Sequence, residues 1–151
     1  PTQNRERDKE DGIQRSQKIL LTWLIEDASI FRQIEPYITP SDFSGDLYRT
    51  VAELLYEQYH AGDVNPAKIM NHFTDEEEHR EVASLFHTKI RELTTVKEQE
   101  KALKETVLRV KNHSIEEEAR NLDPTDMLGL QRLMEVKSKM QDIQKLHISV
   151  N

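Results

Sequence analysis

Six histidines and two acidic runs are the residues of this 151-residue chain best equipped for chemistry, and their spacing limits what they can do. His72 and His79 fall on either side of an expected helix start, and His79 and His87 are eight apart. No His-Glu-x-x-His pattern sets two imidazoles on one helical face. His113 and His147 stand alone among polar neighbours. All read as surface or packing histidines, and no metal or cofactor is expected. Consecutive helical residues fan out around the axis, so Asp75-Glu76-Glu77-Glu78 and Glu116-Glu117-Glu118 do not converge on one cation. Capping and solvated faces account for both runs. Asp42, Asp46 and Asp63 sit near expected loops, but nothing in the sequence sets a nucleophile beside them. The absence of cysteine excludes a thiol nucleophile, a cysteine zinc site and a disulfide framework. There is no glycine-rich phosphate cradle and no dinucleotide fingerprint. Catalysis within this chain is therefore not expected.

Partners other than small molecules leave their mark in charge and apolar pattern. The formal net charge is -7, and the excess acid lies in the first two thirds: residues 13–88 carry thirteen acids against six bases. Nucleic-acid affinity rests first on cation density, so no direct nucleic-acid binding is expected. Trp23, Tyr48, Tyr56 and Tyr59 recur at helical spacing in that acidic region and read as core or core-edge residues rather than a stacking platform. No apolar run approaches the roughly 20 residues that span a bilayer, and the opening residues are charged rather than signal-like. A cytoplasmic chain, monomeric when alone, is the expectation.

The elements that position these residues are expected to be helices throughout. Glu, Lys, Leu and Gln abound, whereas four glycines and five prolines are too few for a turn-rich sheet protein. Residues 1–12, lacking an initiator methionine, read as an unstructured linker remnant of an excised fragment. A first core helix is expected from Ile13 to about Asp27, a shorter one over Ile30–Ile38, and a loop over Thr39-Pro40-Ser41-Asp42-Phe43-Ser44 with Phe43 tucked inward. Leu47, Val51, Leu54, Leu55 and Tyr59 mark a helix from Asp46 to His60 stopped by Ala61-Gly62. Asn65-Pro66 supplies a cap and a first-turn proline, and Thr74 with Glu77 and Thr95 with Glu98 have capping-box spacing.

The last third is the most telling. At about 100 degrees per residue, Val96, Leu103, Val107 and Val110 share one face of the long helix opened by Thr95. Leu108, Ile115, Ala119 and Leu122 share another, rotated by roughly 100 degrees. One helix thus serves two packing partners in sequence, with the changeover at Leu108 to Asn112. After a break at Asn121-Leu122-Asp123-Pro124, with Asp123 as cap and Pro124 in the first turn, a last helix is expected from Thr125 to about His147. Its apolar residues Met127, Leu130, Leu133, Met134, Val136, Met140 and Ile143 cover close to ~200 degrees, more than one neighbouring helix requires. Three methionines suit that surface to an adaptable contact. The expected organisation is all-α: a helical bundle over 13–111 and a helical hairpin over 112–151, sharing a long connecting helix.

Three stretches in this order carry a resemblance: Arg15-Ser16-Gln17-Lys18-Ile19-Leu20-Leu21-Thr22-Trp23-Leu24, then Ile38-Thr39-Pro40-Ser41-Asp42-Phe43, then Tyr48-Arg49-Thr50-Val51-Ala52 through Leu55-Tyr56-Glu57-Gln58-Tyr59-His60-Ala61-Gly62. Together with the hairpin, about Ile13 to Val150 resembles the carboxy-terminal, helicase-binding domain of bacterial primase. The resemblance implies a small bundle followed by a hairpin. It also implies a non-catalytic role, the hairpin attaching to the amino-terminal domains of the hexameric replicative DNA helicase and the bundle modulating that helicase. The primer-synthesising part, a DNA-dependent RNA polymerase, would lie upstream. On this sequence the attachment residues would come from the last helix, and apolar position selects Leu130, Leu133, Met134, Met140, Ile143 and Leu146. Three rivals remain open: the amino-terminal domain of the helicase itself, a metal-dependent helical enzyme, and a dimerising structural domain.

Overall fold

In the computed structural model of the chain the described residues are 2–87, 90 and 94–151, with residues 2–11 described as helix but not in their side chains. The described residues are helical apart from turns and connecting segments, and they contain no strand. Helix α1 spans Thr2–Glu26 and α2 spans Ala28–Ile34, separated only by Asp27, whose carboxylate caps α2 by accepting the Ser29 N–H at 2.9 Å. The helix start expected at Ile13 is thus corrected to Thr2. The segment taken for an unstructured linker consists largely of helix-compatible charged residues, and Gly12 costs only about 1 kcal/mol in a helix interior.

A 3-10 turn at Pro40–Asp42 follows, then α3 (Asp46–Ala61), α4 (Pro66–His72) and α5 (Glu76–Leu85). Gly62 takes a left-handed conformation, φ 75°, and ends α3: the Asp63 N–H reaches back to the Gln58 carbonyl at 3.1 Å. A side chain at that φ is strained, so the sequence can stop the helix there only with a residue such as glycine. Asn65 caps α4 as expected. Helix α5 is capped by Asp75, which accepts the Glu78 N–H at 3.0 Å, and not by Thr74. Aspartate is at least as good a cap as threonine, and the one-residue shift leaves Glu76, Glu77 and Glu78 in the first turn, where the helix dipole favours them.

Helix α6 (Val96–Asn121) opens on Thr95, whose hydroxyl accepts the Glu98 N–H at 3.2 Å, and runs unbroken through Asn112-His113-Ser114. It packs on α1 and on α7 (Met127–Lys145), so the two long C-terminal helices form a hairpin that shares α6 with the bundle. Leu103, Val107 and Val110 enter the main core with α1, α2 and α3, whereas Ile115 and Leu133 are buried outside it. The partners along α6 overlap instead of changing over near Leu108 to Asn112: Lys104 in its first half donates to the Gln144 carbonyl at the end of α7, and Ile143 shares the main core with Leu103, Val107 and Val110. Three members of the expected faces sit differently from the reading, Leu108 among them because it packs against the main core. Val96, half exposed in the first turn, precedes the bundle contact, and Ala119 is exposed near the last turn.

Three glutamines tie these pieces together in the same way. Each uses both ends of its carboxamide on the backbone of one residue outside its own helix, donating to the carbonyl and accepting from the N–H. Gln17 does so with Ser44, Gln33 with Ser149 and Gln58 with Asn65. The side chain replaces the missing strand partner of an irregular segment, satisfying groups that helix ladders cannot reach. A buried ion pair adds a further tie. Lys111 Nζ of α6 donates to Asp42 Oδ1 and Oδ2 at 3.2 and 3.1 Å, with both side chains only 8% exposed. Ser114 Oγ, the Thr39 N–H and the Thr39 hydroxyl also donate to the carboxylate, at 2.7, 2.8 and 3.4 Å. Asp42 is thus occupied as a cap and a counter-ion.

Candidate protein-docking surface

The turn between α6 and α7 is built to be stiff. Asp123 Oδ1 accepts both the N–H and the hydroxyl of Thr125, at 2.9 and 2.8 Å. These bonds, the backbone one foremost, hold the Asp123 carboxyl below the ordinary carboxylate range. The cap of α7 is Asp126, which accepts the Gly129 N–H at 2.9 Å, so the helix starts at Met127, two residues later than expected. Asp123 instead organises the turn, because Asp123-Pro124-Thr125 satisfies its own carboxylate locally. Gly129 fits closely under the turn: a Cβ there would lie 2.5 Å from Asp126 Oδ2 and 2.6 Å from Leu122 Cδ1.

From this turn four large apolar side chains face solvent. Met127 is 72% exposed, Leu128 75%, Leu130 41% and Met134 64%. Projected at about 100 degrees per residue, the apolar sector of α7 splits into two arcs. Leu133, Val136, Met140 and Ile143 form the inner arc; Leu133 and Ile143 are buried, and Met140 packs on the core. Met127, Leu130 and Met134 form an outer stripe, with Leu128 beside it. The surplus width of the sector is thus divided between a face packed on α6 and the bundle and a face with no neighbour.

Of the six residues selected from the sequence, Leu130 and Met134 lie on the outer stripe. Leu133 and Ile143 are core residues in this fold, and Met140 and Leu146 are partly buried against the core. In this fold those four side chains are engaged in intramolecular packing. Met127 and Leu128, which the selection left out although both lie in the sequence's apolar stretch, are exposed as well, because they sit in the first turn, ahead of the point where α7 meets α6.

The other candidates for chemistry are engaged in structure. A polar cleft of 910 Å³ is lined by Asp46, Glu81, Glu117, His113 and Arg120 among others. Its carboxylates are partly committed: Tyr48 donates its hydroxyl to Glu81 at 2.9 Å and Ser44 to Glu117 at 3.3 Å. Burial, then the Glu81 bond, pushes the Tyr48 hydroxyl well above the ordinary tyrosine range, which rules against a phenolate. Tyr56 is raised likewise, chiefly by burial, and donates to the Ile38 carbonyl at 2.6 Å. His79 Nδ1 lies 3.0 Å from the Met70 carbonyl and 3.2 Å from that of Phe73, bracing the α4 end. His60 pairs with Glu35 beside the stacked rings of Phe31 and Tyr59. Among the described residues no three His, Cys, Asp or Glu side chains group as a metal site, and no helix is long and apolar enough to cross a membrane.

Fold and surface together define an all-α module whose most exposed apolar feature is the tip of a helical hairpin. Comparison with known proteins adds no family to this description: no family model, no curated protein and no solved structure matches the chain.

Proposed function

We propose that this chain is a non-catalytic docking module of the primase type, which attaches to the amino-terminal domains of the hexameric replicative DNA helicase through the hairpin and modulates that helicase through the bundle. The observation that carries the docking role is the outer stripe of Met127, Leu130 and Met134, with Leu128 exposed in the same first turn, next to a turn organised by Asp123 and Asp126. A contiguous apolar patch on a rigid support marks an interaction site, and two methionines let it adapt to the facing surface. The identity of the partner rests on the primase resemblance of the sequence.

The test is calorimetric titration of the chain into purified hexameric helicase, with the double substitution Leu128→Ser and Met134→Ser as the control. Both side chains are mostly in water, so the variant keeps its melting temperature while losing at least about tenfold in affinity, as loss of two interface anchors requires. Unchanged affinity in the variant sinks the assignment of the face, and no heat from the wild-type chain sinks the partner. If the chain instead is the helicase's own amino-terminal domain, sedimentation of the chain alone shows rings or dimers that the double substitution dissolves.

A further inference from the structure

The fold sorts the four methionines of the chain into two pairs. Met70 of α4 and Met140 of α7 are partly buried and pack against the core. Met127 and Met134 are 72% and 64% exposed. The exposed pair lies on one line. Seven positions apart on α7, the two side chains project within about 20 degrees of each other, with Leu130 between them. Two of the three members of the outer stripe are therefore thioethers open to water, and neither belongs to the core. The chain has no cysteine, so its oxidisable sulfur is confined to methionine.

A thioether sulfur is a two-electron donor. Its lone pair attacks one oxygen of hydrogen peroxide and the O–O bond breaks; that oxygen stays on sulfur as a sulfoxide, while the departing hydroxide takes up a proton and leaves as water. The methionine is oxidised and the peroxide reduced, each by two electrons. A dithiol reductase runs the reverse, taking the oxygen off as water and ending as a disulfide. Both steps need the sulfur within reach of solvent or enzyme. Exposure meets that condition at Met127 and Met134, and packing against the core restricts it at Met70 and Met140. The product is polar and accepts hydrogen bonds, so it holds water where the thioether sheds it on contact.

We propose that Met127 and Met134 form a reversible oxidation site: peroxide converts the two thioethers to sulfoxides and turns the outer stripe of α7 from apolar to polar without disturbing the fold. Both side chains stand largely in water, so the added oxygens meet no core neighbour and stability is kept. At an interface the same oxygens must be stripped of water, and docking weakens. That consequence rests on the docking role proposed above; the oxidation site itself does not.

The test treats the whole chain with hydrogen peroxide, removes the excess with catalase and locates the sulfoxides by peptide mass mapping. Met127 and Met134 are converted at least about fivefold faster than Met70 and Met140, as solvent access requires. The doubly oxidised chain keeps its melting temperature within about 2 °C and leaves a hydrophobic-interaction column earlier than the untreated chain. Reductases for the two sulfoxide epimers restore both mass and retention. Equal rates at all four methionines, a lost cooperative melt or an unchanged retention overturns the oxidation site. Titration into hexameric helicase then reads the consequence: oxidation lowers affinity at least about tenfold, and reduction restores it. In Met127→Leu with Met134→Leu, the affinities before and after peroxide differ by less than about twofold, since the remaining methionines are shielded. An oxidised chain that binds as well as the untreated one, or a loss of equal size in the leucine variant, overturns control of docking by these two sulfurs. An untreated chain that gives no heat with helicase overturns the docking role, while the mass map and the column still decide the oxidation site.

Discussion

Replacing Lys111 by Met isolates the contribution of the buried ion pair that ties α6 to the turn after α2. The lysine stem and the methionine have similar length, so packing around the aliphatic part is kept and the change is the loss of the ammonium. Lys111 Nζ sits 3.1 and 3.2 Å from the two Asp42 oxygens, with both side chains 8% exposed. In the variant the Asp42 carboxylate keeps Ser114 Oγ and the N–H and hydroxyl of Thr39, all neutral donors, and water has little access to it. A buried charge stripped of its counter-ion costs about 3–5 kcal/mol, which for a chain of this size lowers the melting temperature by about 10 °C. Asp42→Asn alone strands the lysine instead and costs a similar amount. The double substitution Asp42→Asn with Lys111→Met buries no charge and costs about 1 kcal/mol, because the asparagine can still accept from Ser114. Urea denaturation followed by circular dichroism gives all four corners of the cycle, and the two single losses together exceed the double loss by about 3 kcal/mol or more. Single losses that simply add, or a Lys111→Met loss under about 1 kcal/mol, refute the reasoning and mean that the pair is effectively solvated.

Three further outcomes follow from local geometry. Tyr56, buried and bonded to the Ile38 carbonyl, keeps its proton above the ordinary value of 10.0, so the folded state holds a proton that the unfolded state releases. Stability is therefore unaffected below that value and falls as pH rises through it, by up to about 1.4 kcal/mol per pH unit; Tyr56→Phe makes this alkaline slope shallower in melts taken between pH 9 and 11, and Tyr48 and Tyr59, also raised by burial, keep the remainder. Gly62→Ala forces a side chain into the left-handed conformation at φ 75° and lowers stability by about 1–2 kcal/mol in urea titrations, with the slope of the transition unchanged. His113 carries a buried Nδ1 with no hydrogen-bond partner, and His113→Leu removes it while improving helix propensity. That variant gains about 1 kcal/mol and melts a few degrees higher.

Much of this architecture was legible because helices declare themselves locally. The caps at Asn65 and Thr95 and the stop at Gly62 all depend on residues within one or two turns of each other, and the structure holds them as read. Where two caps of equal quality stood side by side, at Thr74-Asp75 and again at Asp123 and Asp126, the sequence left the choice open by one to three residues. Long-range ties were not legible. Gln17 and Gln33 read as ordinary helix residues, and only the fold brings Ser44 and Ser149 within reach of them. The same holds for Lys111 and Asp42, which are sixty-nine positions apart.

The hairpin shows where that boundary runs. Periodicity established that α7 carries an apolar sector wider than one neighbour needs, since the angle between side chains on a helix is set by the backbone alone. Which part of the sector turns inward was decided by the rotation of α7 about its own axis, and nothing local to the helix fixes that angle. Leu133, Ile143, Ile148 and Val150 set it by finding seats on α6 and the bundle. Met127, Leu128, Leu130 and Met134 are left facing water because they precede or lie beside that contact. The sequence alone determined that apolar surface would be left over; the tertiary packing chose which residues present it.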